Sequence, residues 1–372
     1  MFEMEFYEDF QDEPTNIKVV GIGGGGGKIV SYMVRNGVKG PEFIIMNTDI
    51  QDLRKHQADK KIQLGRHTTK GRGAGSDPSK GRRAAEESAE TVREALMGAD
   101  VVFVVACLGG GTGTGAAPVV AKVAKENNAL TIGVATLPFD FEGAVKKENA
   151  VRGIEELRKN VDTLIVLSNN KLAQVAGSGV SIIEAFDSMN DFVSAGIRAI
   201  SDLITQPGEI NLDLADLDRV LRESGDALLG VGEAGGEGRA REAIRKAMGS
   251  PFLENATVEG ATKILVNIWG SESDLSLLEV KEIMDAVTQE SKARDNDIVF
   301  GVTTDPAFEG RIKVALIATG YPSPLISQSN AGELSEDRRY IKPSSDSYSS
   351  VEKDYTKEIT REGVFESWRR RF

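Results

Sequence analysis

Gly109-Gly110-Gly111-Thr112-Gly113-Thr114-Gly115 is the stretch on which the reading of this chain turns. It follows Val101-Val102-Phe103-Val104-Val105-Ala106, a run with nothing polar in it, and leads into residues 116–126, whose spacing predicts a helix. A short apolar run bounded by glycine reads as a buried strand. Strand, glycine run and helix in that order bring backbone N–H groups and the positive end of a helix dipole to one point, which is a site for an anion. Thr112 and Thr114 add hydroxyl donors. Seven residues of Gly and Thr carry little packing value, so the run is expected to serve a ligand rather than a core.

A second run, Gly21-Ile22-Gly23-Gly24-Gly25-Gly26-Gly27, has the same setting. It lies between an apolar strand over residues 17–22 and a helix beginning at 29. Alone it fits the dinucleotide pattern GxGxxG at Gly21, Gly23 and Gly26, or plain helix–strand packing. Asp49, at the end of the next strand (43–46), stands where a ribose-binding acid belongs. A nicotinamide-dependent oxidoreductase is therefore open at this point. A P-loop is excluded, because Ile22 and Ile29 stand where that motif has Gly and Ser or Thr. One dinucleotide takes one such loop. Two loops point to an extended anion gripped from two sides, with Gly71-Arg72-Gly73-Ala74-Gly75-Ser76-Asp77-Pro78 as a third segment able to reach its end. Each anion contact at a helix N-terminus contributes about 0.3–1 kcal/mol, so several must converge to hold a triphosphate.

Further strands are predicted at 130–136 and 163–167 and a helix at 84–97, an alternation that implies a parallel sheet with helices on both faces, an α/β Rossmann-like fold. A long helix is expected over 181–204. Its buried set is Ile182, Ile183, Phe186, Met189, Val193, Ile197, Ile200, Leu203 and Ile204, and Pro207-Gly208 stops it. Beyond it, strands at 228–231, 263–269, 297–303 and 311–319 and helices at 240–248 and 275–291 form a second, smaller α/β unit. The expected organisation is an acidic disordered tail (1–15), a nucleotide-binding domain (16–180), a central helix acting as hinge (181–206), a C-terminal domain (207–320) and a disordered tail (321–372) rich in Ser, Asp, Lys and Tyr. That tail ends with Val364, Phe365, Trp368 and Arg369-Arg370-Arg371-Phe372.

The 372 residues are 40% hydrophobic and carry a net charge of −12, which argues against broad nucleic-acid binding. The one cysteine, Cys107, rules out an intramolecular disulfide and is expected to be a buried small hydrophobe. The two histidines, His56 and His67, lie in a polar stretch and are expected at the surface; they are too few for a His-rich metal site or a Ser-His-Asp triad. Met1-Phe2-Glu3-Met4-Glu5 lacks the layout of a signal peptide. Apolar runs reach only about eight residues, too few to span a bilayer. The expectation is a cytoplasmic protein.

Gly109–Gly115 after an apolar strand resembles the signature of the tubulin/FtsZ superfamily, and the rest of the chain resembles the FtsZ family over residues 16–320. Leu137-Pro138-Phe139-Asp140-Phe141-Glu142-Gly143 resembles its ribose loop, which implies sugar contacts for Pro138 and Glu142. Asp162-Thr163-Leu164-Ile165-Val166 with Asn169 resembles its next nucleotide loop. Phe186 and Asn190 match central-helix positions that face guanine, one stacking and one hydrogen-bonding, with Asp191 beside them. Core packing for Phe186 and a solvated helix face for Asn190 and Asp191 are the plain alternatives. The resemblance implies GTP or GDP as ligand, with Mg2+ carried on the phosphates rather than by protein side chains. The implied contacts are Gly23, Gly24, Gly25, Gly26, Gly27, Lys28, Asn47, Asp49, Ala74, Gly75, Gly109, Gly110, Gly111, Thr112, Gly113, Thr114, Gly115 and Lys146 with the residues just named.

Asn211-Leu212-Asp213-Leu214-Ala215-Asp216 reads as a helix start, with Asn211 as cap and Leu217, Val220 and Leu221 on the buried side. Asp213 and Asp216 share one helical face. Alone this is ordinary capping, favoured by the dipole. It also resembles the family's synergy loop, which implies that Asn211, Asp213 and Asp216 act on the GTP of an adjacent subunit. The implied protein is a polymerising GTPase of cell division. It assembles head to tail at mid-cell and meets division and membrane-tether proteins through its tail. Two other readings stand beside it: a tubulin-like GTP-binding scaffold without turnover, and the oxidoreductase. The chain departs from the family pattern at Lys28 (usually Asn), Lys146 (usually Arg), Ser168 (usually Pro) and Asn170 (usually Asp). Its last nine residues also lack the usual Pro, apolar, Leu-Arg order.

Overall fold

The computed structural model describes residues 15–171, 181–206, 208–210, 212–250, 261–291 and 298–321. The apolar runs of the first half lie side by side as parallel strands: β1 (Ile17–Ile22), β2 (Glu42–Asn47), β3 (Lys60–Gln63), β4 (Val101–Cys107), β5 (Leu130–Leu137) and β6 (Thr163–Ser168). Val101 to Ala106 are fully buried, as expected of a strand covered on both faces. The later strands are β7 (Gly208–Ile210), β8 (Gly225–Gly235), β9 (Lys263–Gly270), β10 (Ile298–Thr304) and β11 (Arg311–Thr319). All eleven form one sheet in the order β3-β2-β1-β4-β5-β6-β8-β11-β9-β10-β7. The first residues of β8 continue the parallel half through Thr163↔Gly225, and antiparallel pairs of β11 with β8 and β9 follow.

The helices are α1 (Gly23–Arg35), α2 (Ile50–Lys55), α3 (Arg66–Thr69), α4 (Pro78–Glu87), α5 (Ala89–Leu96), α6 (Gly111–Glu126), α7 (Ala144–Arg158), α8 (Ile182–Thr205), α9 (Leu214–Leu221), α10 (Arg239–Met248) and α11 (Leu277–Ser291). Among the described residues no helix is long and apolar enough to cross a membrane.

The strand order fixes where a ligand can sit. From β1 the chain steps outward to β2 and β3, then returns to β4 and steps the other way. The crevice beyond the carboxyl ends of β1 and β4 is thus a topological switch point, where open α/β sheets bind ligands. Both glycine runs begin there.

Three expectations about local structure change. The glycine runs are not breaks before helices: α1 starts at Gly23 and α6 at Gly111, so the glycines themselves form the first turns. Glycine costs about 1 kcal/mol in a helix relative to Ala, which close packing here offsets, as shown below. The helix expected over 84–97 is two, α4 and α5, parted at Ser88, whose hydroxyl accepts a hydrogen bond from Gly65 N at 2.9 Å. On α8, Met189, Val193, Ile197, Ile200 and Leu203 are buried as expected, but Ile183 and Phe186 are exposed. The side chain of Ile182 lies outside the described residues.

α8 is set at both ends. Ser181 and Glu184 form a reciprocal capping box at its start. Towards its end, Asn267 Nδ2 donates to Ala199 O (3.2 Å), Trp269 Nε1 to Asp202 Oδ2 (3.0 Å) and Leu212 N to Leu203 O (3.3 Å). Burial raises the Asp202 carboxyl above the usual range, against the pull of Arg198 and Trp269.

Candidate nucleotide cleft

At the switch point the N-termini of α1 and α6 meet. A methyl group on Gly23, at φ +73°, would sit 2.9 Å from Gly113 N. Two helix dipoles and their unpaired first-turn N–H groups therefore converge, as an anion site requires. Thr48 Oγ1 and Thr112 Oγ1, 2.6 Å apart, tie the end of β2 to the same point.

Two adjoining cavities open there. One, of about 460 Å³, is lined by Gly24, Gly25, Lys28, Asn47, Asp49, Ala74, Gly75, Gly111 and Thr112. The other, of about 590 Å³, is lined by Gly25, Lys28, Pro138, Glu142, Asn169, Phe186 and Asn190. Gly25, Lys28 and Lys55 border both. The first has the amides and cations for phosphates. The second has an aromatic ring, an amide side chain and apolar walls, as a nucleoside needs. Phe186 is 44% exposed and lines this cavity instead of packing in the core. It meets Phe139 edge-on at 5.7 Å, and Phe139 stacks on Phe141 at 4.9 Å.

Gly23, Gly26, Gly27, Gly109, Gly110, Gly113, Thr114, Gly115, Lys146 and Asp191 line neither cavity. For several the reason is packing, which overturns the expectation that Gly109–Gly115 has little packing value. A methyl group on Gly113 would lie 2.6 Å from Cys107 O, on Gly111 2.8 Å from Asp77 N, and on Gly115 against the backbone of Pro78. Gly26 is pressed in the same way on Val105 O, whereas Gly110 has nothing within 4 Å. The Thr114 hydroxyl does not face the cleft. It is buried and accepts a hydrogen bond from Gly109 N at 2.8 Å. Lys146 is bound to Glu142 (2.9 Å), whose other oxygen accepts from Phe139 N (2.9 Å), so this pair shapes the loop after β5. Asp191 lies beside Tyr32, whose hydroxyl is raised by burial and then by Asp191 and Asp187. Asp187 takes the place at the cleft.

Both histidine and cysteine expectations need correction. His56 is 8% exposed and sits beneath α1, while His67 is exposed as expected. Cys107 is half-buried and borders the nucleoside cavity; burial raises its thiol above the ordinary range. Asp187 and Ile183 were missed although they share a helical face with Phe186 and Asn190, a spacing that would have found them. Asp52 and Lys55 were missed because α2 is a six-residue helix with little apolar pattern.

Asp213 caps α9, its Oδ1 accepting from Asp216 N at 2.8 Å, and Asp216 lies 3.3 Å from Arg219. Neither lines the cleft. Asn211 lies outside the described residues. No group of three or more His, Cys, Asp or Glu side chains that could cage a metal occurs among the described residues.

Comparison with known proteins agrees with this geometry. The model of the Tubulin/FtsZ family GTPase domain matches residues 16–177, and that of the FtsZ family C-terminal domain matches 225–322. The chain is similar to an FtsZ dimer structure from M. jannaschii, with a TM-score of 0.78 and 40% identity over 83% of this chain and 89% of that one. A second M. jannaschii FtsZ structure gives the same score and identity, over 83% of this chain and 92% of that one. CetZ2 from Haloferax volcanii, in a GTPγS-bound protofilament, is 25% identical with a TM-score of 0.70, over 87% of this chain and 98% of that one. The oxidoreductase alternative falls with these matches.

Proposed function

The chain belongs to the FtsZ family of tubulin-like GTPases, and on that premise we propose that it binds GTP in the cleft and hydrolyses it only where a second copy docks on that cleft. One observation supports this most: the cleft and the segment carrying Asp213 and Asp216 lie at opposite ends of α8. Phe186 and Asn190, on the first turns of α8, line the cleft, while Leu212, next to Asp213, is bonded to Leu203 near its end. At 1.5 Å per residue, that is about 20–25 Å of helix. A second ruler agrees. Leu221 O, at the end of α9, accepts from the hydroxyl of Thr163, the first residue of β6, whereas Asn169 at the cleft follows its last. Six residues of strand span about 20 Å. Carboxylates that far away do not touch a phosphate held in their own cleft.

A head-to-tail neighbour removes the distance. Asp213 is exposed and Asp216 half-buried, so they face outward at that pole. Placed over a neighbour's terminal phosphate, they orient a water whose oxygen attacks the γ-phosphorus as the bond to GDP breaks. Large apolar side chains lie bare at both ends. Phe141 is 73% exposed near the cleft; Leu277, 83% exposed, follows β9, which Trp269 ties to the end of α8. Bare apolar side chains at both poles fit surfaces covered on assembly. The FtsZ dimer and the CetZ2 protofilament to which the chain is similar support self-association.

Magnesium, in this reading, would be carried on the phosphates, as the family resemblance implies, and would neutralise phosphate charge when bound. Assembly at the division site, and contacts of the tail with division and tether proteins, belong to the same proposal; the tail lies outside the described residues. The test is phosphate release from GTP against protein concentration, with sedimentation in parallel. Turnover per molecule must climb steeply as pelleted polymer appears. Binding without turnover at any concentration would leave a scaffold instead.

A further inference from the structure

His56 is a departure from the plain expectation of a surface histidine, and its surroundings give it a task. It follows α2, is buried beneath α1 at the border of the nucleoside-sized cavity, and its ring would lie 3.0 Å from a methyl group on Gly27. Its Nε2 is shut off from solvent with no hydrogen-bond partner, and the nearest anionic atom is Asp52 Oδ2 at 3.4 Å. That same oxygen accepts from Asn47 Nδ2 at 2.8 Å, and Asn47 Oδ1 accepts from Asp49 N at 3.2 Å. Asp49 in turn caps α2 through Gln51 N and Asp52 N. The result is a chain of contacts from beneath α1 to the segment after β2, hydrogen-bonded throughout except at the His56–Asp52 step.

The puzzle is Asp52. It lines the cavity assigned to phosphates and lies 3.1 Å from a methyl position on Gly24, in the first turn of α1. A carboxylate there opposes the anion the glycines attract. We propose that His56 is a positioning residue for nucleotide binding, holding the Asp52 carboxylate against Asn47 at the wall of that cavity and keeping it from swinging further in towards the phosphates. The 3.4 Å separation is long for a hydrogen bond, and such contacts tighten when a ligand closes the site. Asp52 borders the phosphate cavity and not the nucleoside cavity, so its repulsion acts on the phosphates and weighs more on GTP, which carries more charge, than on GDP. This inference rests on the GTP-binding reading above.

The experiment is titration of the full-length chain with GTP and GDP, together with steady-state turnover. In His56→Ala, the Kd and KM for GTP rise about tenfold, Kd for GDP rises less than threefold, and turnover at saturating GTP stays within twofold. His56→Gln, which keeps a donor, recovers most of the GTP affinity. Asp52→Asn combined with His56→Ala binds GTP no worse than Asp52→Asn alone, because the group to be restrained is gone. Equal losses for GTP and GDP, or a double variant whose defects simply add, would overturn the assignment, as would His56→Ala with unchanged affinity. If wild-type protein itself binds neither nucleotide, the functional reading fails first, and the two failures are thereby told apart.

Discussion

The two ends of α8 are built for opposite charges. At its start, the converging N-termini of α1 and α6, with Lys28 and Lys55 at the rim, receive an anion. At its end, Asp213 and Asp216 are presented from the first turn of a short helix by a segment bonded to Leu203. The first end is an open cleft assembled from several separate chain segments. The second is an edge, with β7, among the described residues, paired to β10 alone at the margin of the sheet. On the proposed reading the contrast teaches that one end binds and the other completes, so that neither is an active site by itself.

The sharpest break comes at the acidic end. Asp213→Ala and Asp216→Ala should keep GTP affinity yet lose roughly 100-fold or more in turnover, the scale of removing a positioned base or charge-stabilising group. Loss of affinity to the same degree would merge the two ends and refute their division of labour. At the cleft end, glycines divide in turn. Gly113→Ala pushes a methyl group onto Cys107 O and should destabilise by about 1–3 kcal/mol in a denaturant melt, as overpacking does. Gly110→Ala meets nothing and should hold stability within about 0.5 kcal/mol. Phe186→Ala should weaken GTP binding about tenfold by calorimetry, the order of one lost base–aromatic stack, without shifting the melt, because the ring is half exposed. The smallest effect is at Cys107. Its thiol is raised by burial, so thiolate is scarce at neutral pH. Alkylation should be slow at pH 7, keep climbing past the ordinary thiol range, and slow again when GTP fills the cavity beside it.

Much of this was legible in the chain. Apolar strands next to glycine runs marked the anion site, and the 3.6-residue period located α8 to within a residue or two. The roles of single glycines were not legible, since Gly113 against Cys107 O and Gly110 against nothing look alike in a sequence. His56 read as a surface residue because polar neighbours hid that α1 would lie on it. Phe186 read equally well as core or cleft, and only the path of the first turns of α8 decided between them. Local pattern sets elements; which atoms they press together is settled by tertiary packing.

The most direct measurement mixes two defective proteins. Asp213→Ala has an intact cleft; Gly24→Asp places a second carboxylate beside Asp52 in the phosphate cavity and cannot hold GTP. Each alone should release almost no phosphate. Together, at a concentration that supports assembly, they should recover a substantial fraction of wild-type turnover, because the acids of one serve the cleft of the other. A mixture as inactive as its components, while the two co-sediment, would contradict the account.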